Sequence, residues 1–61
     1  MYYIVQAGSI ANPKDIFVIP SEQFLGFDEA CDLADMHKES NGDCTFHVVD
    51  HASGRVVYSR F

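Results

Sequence analysis

Gly26-Phe27-Asp28-Glu29-Ala30-Cys31-Asp32-Leu33-Ala34-Asp35-Met36-His37-Lys38-Glu39-Ser40-Asn41-Gly42 is the stretch from which the fold is read. Ala30, Leu33, Ala34 and His37 recur at i, i+3, i+4 and i+7, the spacing of one buried face of a helix. Gly26 suits an N-cap, and Asp28 and Glu29 fall in the first turn, where carboxylates meet the positive end of the helix dipole. Asn41-Gly42 is the pair expected to stop the helix through a left-handed residue. The spacing therefore predicts a helix over about residues 27 to 40.

Strand signals flank it. Tyr2-Tyr3-Ile4-Val5-Gln6-Ala7 is β-branched and aromatic and ends at Gly8. A loop from Gly8 to Asp15 carries the turn signal Asn12-Pro13. Ile16-Phe17-Val18-Ile19 reads as a second strand, ended by Pro20, which has no backbone donor. Ser21 to Phe27 reads as one helical turn leading into the main helix. After it, residues 44 to 50 and 55 to 60 read as two strands joined by His51-Ala52-Ser53-Gly54, a connection suited to a turn closed by a left-handed glycine. The order is β-β-α-β-β, an α+β domain over residues 1–61 with a small antiparallel sheet of three to four strands and one helix on one face. Strand order cannot be read from these patterns.

A chain of 61 residues buries only about 60% of its unfolded surface, so its own core is small. Two cysteines do not make a disulfide framework. No signal peptide is expected from Met1-Tyr2-Tyr3-Ile4-Val5-Gln6, and no run approaches the roughly 20 apolar residues of a membrane span. The expectation is a cytoplasmic protein with reduced thiols and no membrane contact. A net charge of -5 argues against direct nucleic-acid binding, which needs clustered Lys and Arg.

That charge is concentrated. Asp28, Glu29, Asp32, Asp35, Glu39 and Asp43 face a single base in the same segment, Lys38, while Lys14, Asp15, Glu22, Asp50, Arg55 and Arg60 cancel. At about 100° per residue, Asp28, Asp32, Asp35 and Glu39 lie within about 60° of one another, opposite the apolar face. They extend over roughly 16 Å of helix axis, about one carboxylate per 5.5 Å, compared with one phosphate per 3.4 Å along a DNA strand. A solvated outer face is the plain alternative. Exposed helices more often mix signs, however, and the like-charge neighbours here repel by on the order of 1 kcal/mol in total. A docking surface for a basic partner is the sharper expectation.

The strands are apolar on both sides. Tyr3 and Val5 alternate with Tyr2 and Ile4, Phe46 and Val48 oppose Val49, and Val56 and Tyr58 oppose Val57 and Phe61. An antiparallel sheet with one wet face should alternate apolar with polar. One face is thus expected to hold a Tyr/Phe/Val patch, with Tyr3, Val5, Val57 and Tyr58 as candidates for a homodimer or second interface. The alternative is that Ser21 to Phe27 folds over it. Base stacking on an aromatic face is disfavoured by the scarcity of cations.

Cys44-x-x-His47-x-x-x-His51, with Cys31, invites a zinc reading. Residues 44 and 47, an odd number apart on a strand, point to opposite faces, and Cys31 stands about 120° around the helix from His37. Cys44 or Ser53 as a nucleophile would need His47 or His51 as an oriented base, and a chain this small leaves little room for a pocket. No metal, cofactor or enzymatic activity is expected. Cys31 and Cys44 read as small hydrophobes. Asp50 is expected to close the hairpin turn through its own side chain.

Phe27-Asp28-Glu29-Ala30 through Leu33-Ala34, then Phe46-His47-Val48-Val49-Asp50 and Ser53-Gly54-Arg55-Val56-Val57-Tyr58, looks like a helix-plus-hairpin pattern of small bacterial and phage proteins. By size and charge the chain resembles the acidic phage-encoded inhibitors of host nucleic-acid machinery, anti-CRISPR proteins among them. The resemblance implies a stoichiometric inhibitor that occludes a basic surface of a host protein or nucleoprotein complex, in the host cytoplasm. The second expectation is a homo-oligomeric module working through its apolar sheet face.

Overall fold

The computed structural model describes residues 1–8 and 14–61. Along them run β1 (Tyr2–Ala7), β2 (Ile16–Val18), α1 (Phe27–Ser40), β3 (Thr45–Asp50) and β4 (Val56–Arg60), the α+β order expected. The turn at Asn12-Pro13 lies outside the described residues. The sheet has the order β2-β1-β3-β4 with every neighbour antiparallel. β2 and β3 both oppose β1 and are therefore parallel to each other. Parallel strands require a long crossover, and α1 supplies it, laid over one face.

Directly opposed residues share a face, so the register sorts the side chains. Ile4, Val48 and Tyr58 form one row beneath the helix, and Gln6, Phe46 and Arg60 another. Ile4, Phe46 and Val48 are completely buried with Ala30 and Ala34 of the helix, and Cys44 closes the cluster. Two alanines at the contact let the helix approach closely. Full burial of each Ile, Val or Phe contributes roughly 1.5–3 kcal/mol. Leu33, Cys31, Leu25 and Ile19 pack around this core half-buried.

Residues 21 to 27 contain no helical turn before α1 starts at Phe27, and of the helix-free face they reach one corner, where Phe24 stacks on His51 and His51 lies against Tyr3. Glu22 N–H bonds the Ile19 carbonyl at 3.1 Å, a turn with Pro20 at its second position. The chain then returns to β1: Ile4 N–H donates to Glu22 O at 3.2 Å, and Tyr2 and Leu25 exchange two bonds at 2.9 and 3.0 Å. This segment lengthens the β2 edge where Pro20 had interrupted it. Its Leu25 packs on the core while Phe24 remains exposed.

The helix begins as expected at Gly26 in an extended conformation, and ends differently. Asn41 has φ -133°, and the glycines at positive φ are Gly8 and Gly54. The stop is made by side chains instead. Asn41 donates its N–H (2.8 Å) and its amide (3.2 Å) to the His37 carbonyl. Lys38 Nζ donates to the carbonyls of Gly42 and Cys44, both at 2.8 Å. Gly54, at φ 70°, closes the β3–β4 turn with its N–H on Asp50 O at 2.7 Å. The Asp50 carboxylate caps Ala52 N–H at 2.9 Å, the expected use of that residue.

Candidate functional site

Asp28, Glu29, Asp32 and Glu39 are exposed on the outward side of α1, and Asp43 is exposed just beyond it. Asp35 departs from this stripe. The most buried line of the helix passes through Ala30 and Ala34, which leaves Asp35 on the flank that overlooks β4. Tyr58 donates its hydroxyl to Asp35 Oδ1 at 2.7 Å, and Arg60 Nε lies 3.3 Å from the same oxygen. Asp35 is thus a tie between helix and sheet, and the free stripe consists of Asp28, Asp32 and Glu39, with Glu29 and Asp43 beside it.

Among the described residues the ion pairs are Asp35–Arg60 and Glu22–His37. Lys38 turns to two backbone carbonyls, so the one cation of the segment does not sit on a carboxylate. The field of the stripe also reaches Cys31. Partial burial first, then Asp28, Asp35 and Asp32, raise its thiol above the ordinary cysteine value, which keeps it protonated and a poor nucleophile at neutral pH.

The opposite face of the sheet is bare of helix. Its rows are Tyr3–Val49–Val56, Val18–Val5–His47–Ser59 and Ile16–Ala7–Thr45. Phe61 follows by alternation, its ring centroid 5.6 Å from that of His47 in an edge-to-face arrangement. Tyr3 and Val5 belong to this side as expected, and Val56, expected on the face opposite Phe61, lies on it as well. Tyr58 does not: it opposes Val48 and reaches Asp35 under the helix. Val49 pairs with Val56 while Val48 pairs with Tyr58, so Val57 is the extra residue of a bulge.

At the centre of this face a polar chain closes on itself. Thr45 Oγ1 donates its one proton to the Ala7 carbonyl at 3.0 Å. It must therefore accept from His47 Nε2, also at 3.0 Å. In the neutral imidazole His47 Nδ1 is then an acceptor, and Ser59 Oγ donates to it at 2.8 Å. Ser59 was not legible as a partner of His47, because their apposition depends on strand register.

The residues of the zinc reading are dispersed. Cys44 is buried on the helix side, accepting Gln6 Nε2 at 3.3 Å, whereas His47 is on the other face. His51 turns its Nε2 to the Gln23 carbonyl between Tyr3 and Phe24. No group of three or more metal-ligating side chains occurs among the described residues. Ser53 Oγ accepts Arg55 N–H at 3.2 Å. Both cysteines are free thiols, and no helix among the described residues is long and apolar enough to cross a membrane. No family model, curated protein or solved structure matches the chain.

Proposed function

We propose that this chain is a non-enzymatic binding protein whose acidic helix face engages a basic surface of another protein. The observation that carries the reading is the set of exposed carboxylates Asp28, Asp32 and Glu39, with Glu29 and Asp43, whose neighbouring cation Lys38 is bonded to carbonyls instead. Like charges along one rod disfavour the isolated helix. They are relieved when a cationic surface approaches, and such complementarity speeds encounter and selects the partner. A surface built to follow a phosphate backbone has the matching charge. Occlusion of a host nucleic-acid-binding site, in the manner of a stoichiometric inhibitor, is the proposed consequence.

The test is capture from lysate of the native host by the immobilised chain, with wild type compared to Asp28→Lys/Asp32→Lys. Asp35 is left intact because of its tie to β4. The double variant should lose the captured partner while retaining its helix by circular dichroism. Added duplex or single-stranded nucleic acid should displace the partner from the wild type, and dissociation should quicken with salt. An unchanged capture profile for the double variant sinks the proposal.

A further inference from the structure

We infer that the bare sheet face is the interface of a symmetric homodimer, in which two chains stack sheet to sheet with their acidic helices outermost. Three features of the face specify a second copy as its occupant.

The first is charge. The rows Tyr3–Val49–Val56, Val18–Val5–His47–Ser59 and Ile16–Ala7–Thr45 contain no Asp, Glu, Lys or Arg. A chain of net charge -5 can meet its own copy only where that charge is absent. In a stack of this kind the sheets lie about 10 Å apart and each helix about 10 Å beyond its sheet. The helices are then separated by about 30 Å, against a screening length of about 8 Å at physiological salt. A cationic or anionic partner finds no counter-charge on this face.

The second is that the face can be dried. Burying a hydroxyl or imidazole without a hydrogen bond is costly. Here Ser59, His47 and Thr45 satisfy one another in a relay that ends on the Ala7 carbonyl. The polar groups at the centre therefore need no water and no partner group. Around them stand Val5, Val18 and Val56, with Phe61 83% exposed at the rim, while Val49 is already buried beneath them.

The third is area. Three strands of roughly 20 Å and the three-residue β2 of about 10 Å, at about 4.8 Å spacing, give a footprint near 300 Å², and with side-chain relief a dimer buries somewhat under about 1,000 Å² in all. That is the lower end for a specific interface. A weak dimer follows. The contact is isologous, as two-fold dimers require. It is independent of the helix reading, since it uses the opposite side of the molecule.

Sedimentation equilibrium of the whole chain from about 1 μM to 1 mM tests it. The wild type should pass from one to two chain masses across that range. Val18→Glu and Phe61→Glu alter exposed positions at the edge strand and the chain end, where folding tolerates them, and together they should weaken association at least tenfold. Asp28→Lys/Asp32→Lys should leave the dimer unchanged while removing partner capture, so the two readings fail separately. Backbone amide shifts on dilution should move at Val5, Val18, His47 and Val49. A single chain mass at every concentration overturns the inference. So does association that survives Val18→Glu/Phe61→Glu, or dilution shifts confined to the β4 edge or to α1.

Discussion

Three side chains from two elements meet at one oxygen: the Tyr58 hydroxyl and the Arg60 guanidinium, both on β4, converge on Asp35 Oδ1 of α1. The hydrogen bond to Asp35 foremost, then desolvation and the Asp35 charge, raise the phenol above its ordinary value of 10.0, with Arg60 opposing. A group whose ionisation is raised on folding holds its added stability below its unfolded value and loses it as pH climbs through the folded one. Thermal stability should therefore fall as pH rises from about 10 upward. Asp35→Asn should bring the Tyr58 ionisation down, as followed by ultraviolet difference absorbance, and should reduce this alkaline loss. An alkaline titration identical in wild type and Asp35→Asn would show that the Tyr58–Asp35 bond is not made. From the sequence, Asp35 is one of four equivalent carboxylates on a stripe. What distinguishes it is the rotation of the helix about its buried alanines and the place of β4, and neither is encoded in helical spacing.

At the scale of elements, the four strands and the helix are legible because each has an apolar run and a glycine or proline near at least one end. The helix bounds 27 to 40 follow from Gly26, the Ala30/Leu33/Ala34/His37 period and Asn41. Two features were not legible. Pairing of residues 19 to 25 with β1 depends on a neighbour far along the chain, and the Asn41 stop depends on Lys38 and on side-chain amide geometry. Glycines at the two turns of interest should respond oppositely to substitution. Gly26 has φ -70°, carries no side-chain cap and has open space around a Cβ. Gly26→Ser should thus stabilise by about 0.5 kcal/mol, by adding an acceptor for the first free N–H groups and stiffening the unfolded chain. Gly54 also has open space but sits at φ 70°, so Gly54→Ala should destabilise by about 1 kcal/mol or more through backbone strain alone. Urea unfolding followed by circular dichroism separates the two. Equal shifts of one sign would contradict the turn assignments.

Across the whole molecule, negative potential lies on one side and an uncharged sheet on the other, with a thin core between them. The division is visible in composition, since six of the nine acids fall between residues 28 and 43. Which sheet positions join the uncharged side is not visible there, because it requires the strand order and the bulge. Repulsion along α1 should make stability rise with salt. Because about 1 kcal/mol shifts the midpoint of a domain this small by about 4–8 °C, raising NaCl from about 0.02 to 0.5 M should lift the melting temperature by several degrees. Asp32→Lys should raise the low-salt midpoint and flatten this dependence. A midpoint that is flat or falling with salt in the wild type would mean the carboxylates are not repelling one another.

The unpaired Val57 has a consequence for how far assembly can proceed. β4 is an outer strand of the sheet, a position that in a straight, apolar ribbon would recruit further chains into an endless ladder. The surplus residue twists that ribbon out of line, and Arg60 puts a cation beside it. Endless growth needs both edges of the sheet, so closing β4 limits lateral strand addition to one pairing through β2, and crowding should yield a clear solution of finite particles with no fibrils.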